Sequence, residues 1–293
     1  MMPPAVRHKL RYVEIITNRG ARSHHAGDFR SRRVGRGFEF DEHRPYRVGD
    51  DYRMIDWNVT ARLQQPYLKR NFEEKELSAI LVIDLSRSMQ FTTGDQSKRE
   101  LLLEVVATLA FSAVADGIRL GLLLFANEVE LFMPPRQGRA RVWSMLDAVW
   151  DHQPASHGTN FEAALRYLVS ALNRMAIIFF ISDFIGQQEL HESPSYQAVA
   201  RRHDLVPVIV GDPLEDSLPE GRGLLRVRDA ETGESLQFSF TPQLRKDYEN
   251  ALGKRKGRMR KAFFRHGVQR VDLQVDQNYV TRLMQFFNAR KRL

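Results

Sequence analysis

The stretch ILVIDLSRSMQF, residues 80–91, decides the fold. Ile80 to Ile83 are four consecutive apolar residues, the pattern of a strand buried on both faces of a parallel sheet. The run ends in Asp84, and Ser86 and Ser88 follow at alternate positions. A core strand that runs into three small oxygen-bearing side chains sets them at the carboxyl edge of a sheet, where open α/β folds bind their ligands.

Downstream, short apolar runs alternate with amphipathic segments. Strands are expected at 79–84, 120–126, 175–183 and 205–212, with helices at 97–117, 139–152, 160–172 and 188–202. Ser97 and Glu100 stand in capping-box spacing, and Gly117 supplies a stop for the first of these helices. Trp143, Leu146 and Trp150 form the apolar stripe of the second. Strands alternating with helices require right-handed crossovers, so the fold class is α/β: a three-layer αβα arrangement around a mainly parallel, doubly wound sheet. Residues 223–240 read instead as a β-hairpin insertion turning at Glu231-Thr232-Gly233. A basic helix near 242–265, a strand near 268–275 and a final helix from about 278 complete the chain.

The organisation expected is a basic, partly ordered N-terminal segment at 1–36, an irregular appendage at 37–78 packed on the sheet, and an α/β domain over 79–293. The domain includes the hairpin and the basic C-terminal helices. Formal net charge is +8, but it is unevenly spread: residues 1–36 carry +7, 253–293 carry +10, and the middle −9. Basic ends of this kind suit phosphate polymers or an acidic protein surface, or are simply solvated helix faces. No aromatic-interleaved basic motif or zinc-finger spacing sharpens a nucleic-acid reading.

The absence of cysteine excludes disulfides, thiolate metal sites and cysteine nucleophiles, and it fits a reducing compartment; a cytoplasmic location is expected. The longest apolar runs, 120–126 and 175–181, are far shorter than the ~20 residues of a membrane span. The N-terminus has no apolar core with a cleavage site, so no secretory signal is expected.

Three loops bring oxygen ligands to one sheet edge if the strands are parallel. Asp84, Ser86 and Ser88 follow the first strand, Thr159 precedes a helix after Gly158, and Asp183 ends the third strand. Two carboxylates and three hydroxyls are an all-oxygen set suited to Mg²⁺ or Mn²⁺. Taken alone, Asp84 and the serines equally make a turn and a helix cap; Thr159 and Asp183 in the right order favour the metal. Arg87, between the serines, either steers an acidic partner towards the ion or is solvated. Asp50, Asp51 and Asp56 in RVGDDYRMIDW are expected to make exposed turns, with metal binding the alternative.

Asp84 to Ser88 with Thr159 and Asp183 resemble the metal-ion-dependent adhesion site (MIDAS) of von Willebrand factor A domains, and the element order from 79 to 210 is similar to that fold. The upstream block GRGFEFDEHRPYRVGDDYRMIDWNVTAR, with DPLEDSLPEGRGLLRVRDAETGE, resembles the bacterial domain-of-unknown-function 58 family over about residues 30–290. The resemblance implies that Ser86, Ser88 and Thr159 bind the ion directly, with Asp84 and Asp183 in contact with it or acting through water. It also implies a MoxR-type AAA+ ATPase as partner in the assembly or activation of protein complexes.

The chain is therefore expected to be a non-enzymatic, metal-dependent protein-interaction module that engages an acidic partner side chain. An alternative is a basic nucleic-acid-associated protein with a vestigial metal site, and a metal-dependent hydrolase ranks behind both. A phosphate-accepting Asp84 lacks a proton-donating Asp two residues on, where Ser86 stands. His152, His157 and His203 are available to a serine nucleophile, but no G-x-S-x-G elbow surrounds Ser86 or Ser88. No phosphate-binding G-x-x-x-x-G-K-[ST] loop is present. At the sheet rim, Asp84→Ala is expected to leave the fold largely intact.

Overall fold

The computed structural model describes residues 2–22, 43–47, 50–69, 77–90, 96–155, 158–187, 189–218, 220–221, 223–228 and 234–291. The chain forms two compact units, Met1–Arg32 with Leu77–Leu293, and Arg33–Glu76. The expected turn at 231–233 and His157 lie outside the described residues.

The first helix, α1, spans Pro4–Arg22 and belongs to the larger unit. In the smaller unit, β1 (His43–Pro45) pairs antiparallel with β2 (Tyr67–Lys69), and α2 (Trp57–Leu63) lies between them in sequence. Its aspartates do turn chemistry. Asp50 accepts from the Arg47 N–H at 2.8 Å and Asp51 from the Arg53 N–H at 3.0 Å. Asp56 caps α2 by accepting from the Asn58 and Val59 N–H groups at 3.0 and 3.2 Å.

The larger unit is built on β3 (Ser78–Asp84), α3 (Lys98–Ala115), β4 (Arg119–Phe125), β5 (Val129–Arg136), α4 (Arg139–Asp151), α5 (Phe161–Ala171) and β6 (Ile177–Ser182). It continues through α6 (Pro194–Arg202), β7 (Asp204–Gly211), α7 (Pro213–Asp216), β8 (Gly223–Arg228), β9 (Ser235–Phe240), α8 (Pro242–Arg265), β10 (Val271–Gln274) and α9 (Tyr279–Lys291). Six strands form one sheet in the order β10-β7-β6-β3-β4-β5. All its pairings are parallel except β4 with β5.

The continuous apolar runs are explained by cover on both faces. Along β3, Ala79, Leu81 and Ile83 face a cluster supplied by α1, α3, α4 and α9, while Ile80 and Val82 face one supplied by α5, α6 and α8. Each of these five side chains is wholly buried, and full burial of a large aliphatic side chain contributes about 1.5–3 kcal/mol. The helices lie on both sides of a mostly parallel sheet, giving three layers.

Local chemistry sets the boundaries. Ser97 and Glu100 form the expected capping box on α3, and Gly117 beyond its end takes φ +72°. The helix expected from 188 begins only at Pro194, with Ser193 as its cap, because proline at the first position fixes the start. The strand expected over 268–275 is confined to Val271–Gln274. β5 was not anticipated: Pro134 and Pro135 in VELFMPPR argue against a strand, yet proline is tolerated at a sheet edge, where β5 lies. At the N-terminus, α1 buries Leu10 and Val13 in the same core as α3. Arg7 of α1 pairs with Asp147 at 2.7 Å, and Glu14 with Arg139 at 2.6 Å. Helix α3 thus has apolar residues on all sides because it is covered on all sides. The strands β8 and β9 pair antiparallel, with Leu225 opposite Phe238 and Val227 opposite Leu236.

Candidate functional site

The chain leaves β3 towards β4 on one side and returns through β6 on the other, so the sheet order reverses between β3 and β6. Crevices at such reversals, outside the carboxyl ends of the strands, are where doubly wound sheets take ligands. Asp84 ends β3, and Ser182 ends β6 beside it, with Asp183 the next residue.

Asp84 is almost wholly buried and held at both oxygens. Its Oδ1 accepts from the Ser86 N–H at 2.8 Å, and its Oδ2 accepts from the Ser182 hydroxyl at 2.6 Å. Burial, reinforced by the charge of Asp183, pushes its pKa up to about 7, against these hydrogen bonds, which favour the carboxylate. The Asp84–Ser86 bond shapes the turn that feeds a 3₁₀ segment at Arg87–Gln90. In that turn the Ser86 and Ser88 hydroxyls share a hydrogen bond, their oxygens 3.1 Å apart.

Asp183 follows β6 and accepts from the Ile185 N–H at 3.0 Å. The next residue, Phe184, adopts φ +53°, a left-handed conformation unusual for an aromatic residue. Its ring is buried against Phe161, Phe180 and Phe263, with centroids 5.2, 5.7 and 5.8 Å away, and its N–H donates to Ser182 Oγ at 3.0 Å. Packing thus fixes the backbone conformation that follows Asp183.

Two residues that the sequence did not single out complete the cluster. Lys98, in the first turn of α3, has no exposed side-chain surface, and its ammonium donates to Asp183 Oδ2 at 3.1 Å and to the Ser88 carbonyl at 3.3 Å. It also pairs with Glu215 of α7. Burial raises the pKa of Glu215 above the ordinary carboxylate range, with Lys98 opposing the rise. The available signal was the position of Lys98: a lysine just inside a helix N-terminus opposes the helix dipole and needs anions nearby.

The structure brings Asp84, Ser86, Ser88 and Asp183 together at one edge. Ser86, Arg87, Ser88 and Asp183 line a cleft of about 1480 Å³, with Asp84 behind it. Thr159 is half-buried in the loop before α5 and stands outside the cleft lining, whereas the adjacent Gly158, at φ +94°, is in it. That loop is tied to the same edge by the Asn160 N–H, which donates to the Ala126 carbonyl at 2.8 Å. Arg87 is exposed at the cleft.

Among the described residues, no three His, Cys, Asp or Glu side chains are grouped to hold an ion. Any hard-cation site here rests on hydroxyl oxygens with carboxylates behind them. The serine pair fits that role: two ligands on adjacent corners of an octahedron at about 2.1 Å from Mg²⁺ lie about 3 Å apart. Neither His152 nor His203 is shown bonded to Ser86: His203 Nδ1 accepts from the Ala176 N–H at 3.3 Å, and His152 faces Glu130 at 3.5 Å.

The family model for a protein of unknown function, DUF58, matches residues 42–258. The chain belongs to the DUF58 family. Its relatives include uncharacterized proteins Rv1480 of Mycobacterium tuberculosis and Mb1516 of Mycobacterium bovis, each 30% identical over 99% of this DUF58 chain and 91% of their own length. Among solved structures it is similar to the conserved hypothetical protein BatB from Bacteroides thetaiotaomicron, with a TM-score of 0.48 and 15% identity, covering 74% of this chain and 100% of that one. No helix among the described residues is long and apolar enough to cross a membrane.

Proposed function

We propose that this DUF58 protein is a non-enzymatic, metal-dependent protein-interaction module of the von Willebrand factor A type. In this reading Ser86, Ser88 and Thr159 hold Mg²⁺ or Mn²⁺, with Asp84 and Asp183 behind them. The observation that carries it is the 3.1 Å separation of the Ser86 and Ser88 hydroxyls at the strand reversal, beside two aspartates. A bound divalent cation offers an exchangeable position to an Asp or Glu carboxylate of a partner.

The chain's own residues prepare that encounter. Asp84, fastened by Ser182 and the Ser86 N–H, orients the serine turn. Lys98 balances the charge of Asp183, so the hydroxyls face the cleft beside a carboxylate that is already paired. Arg87, exposed at the cleft, attracts an incoming acidic side chain. A MoxR-type AAA+ ATPase, as the resemblance implies, is the partner proposed for assembly or activation of protein complexes.

The test is calorimetric titration of the full chain with Mn²⁺ or Mg²⁺, then capture of a purified MoxR-type ATPase with and without EDTA. Ser86→Ala is expected to weaken ion binding at least about tenfold, or about 1.4 kcal/mol, and EDTA to release the ATPase. Equal ion binding by the wild type and Ser86→Ala would overturn the site; equal capture with and without EDTA would overturn the mechanism.

A further inference from the structure

We infer that the cleft beyond the serine turn is a docking groove for an amphipathic, acidic peptide segment of a partner protein. This goes beyond the metal-dependent reading and does not require it, since no groove contact passes through an ion. One wall is α8, where Leu244, Tyr248, Leu252 and Met259 line the cleft. They recur at helical spacing on one face of an otherwise basic helix and span about 22 Å at 1.5 Å per residue. The facing wall is one side of the β8–β9 ribbon, on which Leu225 stands directly opposite Phe238 and Val227 lines the same cleft. Val227 and Phe238, diagonal neighbours on this ribbon, keep 45% and 40% of their surface exposed, so with Leu225 they leave a contiguous apolar patch open to the cleft.

Charge complementarity selects the occupant. Arg226 and Arg255 also line the cleft and make the rim of this apolar groove positive. Of the anions in its lining, Asp183 and Glu215 are paired with Lys98, and Asp272 with Arg270 at 3.0 Å. A partner with apolar residues on one side and carboxylates on the other satisfies both walls and rim, in the manner of helix-in-groove recognition. The cavity, about 1480 Å³, exceeds the roughly 300–1,000 Å³ of small-molecule sites and suits a segment of chain.

The probe is a fluorescein-labelled peptide of about four helical turns, with leucines at i, i+3, i+4 and i+7 and glutamates elsewhere; its twin carries lysines for the glutamates. Anisotropy is measured with the full chain in EDTA, so that no ion contributes. The glutamate peptide is expected to bind at least about tenfold more tightly than the twin, and to lose at least about tenfold on Phe238→Ser and on Arg255→Glu. Both substitutions fall outside the buried core, and circular dichroism checks that the variants fold. Equal binding of the two peptides, or glutamate-peptide binding unchanged in both variants, overturns the groove. So does binding of phosphatidylglycerol vesicles that is lost in the same variants while the peptide fails to bind, which would assign the surface to lipid. Because EDTA is present throughout, failure here leaves the ion titration of Ser86→Ala to stand or fall separately.

Discussion

The Lys98 ammonium lies 3.1 Å from Asp183 Oδ2, and neither side chain has more than 4% of its surface exposed. A cation so placed is held by its anions, and removing it strands them. Lys98→Met is therefore expected to destabilise the protein by about 3–5 kcal/mol, because the buried Asp183 would be left without a counter-charge and the half-buried Glu215 would lose its partner. Urea denaturation of the purified protein measures the loss, and a change below about 1 kcal/mol would show that the pair is not the anchor of this edge.

Asp84 and Ser86 should separate in the same assay. The sequence placed Asp84 at a rim where Asp84→Ala would leave the fold largely intact, but the structure buries it and gives it two hydrogen bonds. Asp84→Ala is now expected to cost about 2–4 kcal/mol and Ser86→Ala less than about 1 kcal/mol. Equal losses would mean that Asp84 is not what holds the serine turn.

His203 predicts a pH dependence. It is 1% exposed, and burial, with the charge of Arg202 second, lowers its pKa from 6.5 to about 4. The unfolded chain therefore binds the proton first as pH falls, so stability is unaffected by this group above pH 6.5 and declines between 6.5 and 4. Protonation would also put a hydrogen on Nδ1, which accepts from the Ala176 N–H in the neutral ring. The decline is expected to reach about 2–3 kcal/mol, and His203→Gln should flatten it. An unchanged slope in His203→Gln would assign the pH dependence elsewhere.

The N-terminal helix supplies a further prediction. Leu10 is 1% exposed in the α1–α3 interface, so Leu10→Ala should cost about 2–5 kcal/mol. A loss near zero would mean that α1 is not part of the cooperative unit.

Features visible in the sequence were those that depend on period and punctuation. β3, β4, β6 and β7 are apolar on both faces because helices cover both, which makes the runs continuous and easy to read. The Ser97 cap, Gly117 and the Asp84–Ser86–Ser88 spacing are local and equally plain. What stayed hidden depends on contacts between distant residues. β5 carries two prolines that only its edge position permits, and Lys98 gains meaning only when Glu215, 117 residues away, is folded beside it. The basic C-terminus is also less available than its sequence suggests, since Arg290 pairs with Asp204 and packs on Phe286.

Phe184 gives the deepest layer of the protein a say at its rim. A non-glycine residue in the left-handed region costs on the order of 1–3 kcal/mol and persists only when its surroundings over-determine it. Here the restraint is the contact of its ring with Phe161, Phe180 and Phe263. These three contacts hold the left-handed residue directly after Asp183, the carboxylate that Lys98 pairs with. The geometry of the rim at Asp183 is thus set in part by aromatic residues of the interior, several residues removed from the surface they shape.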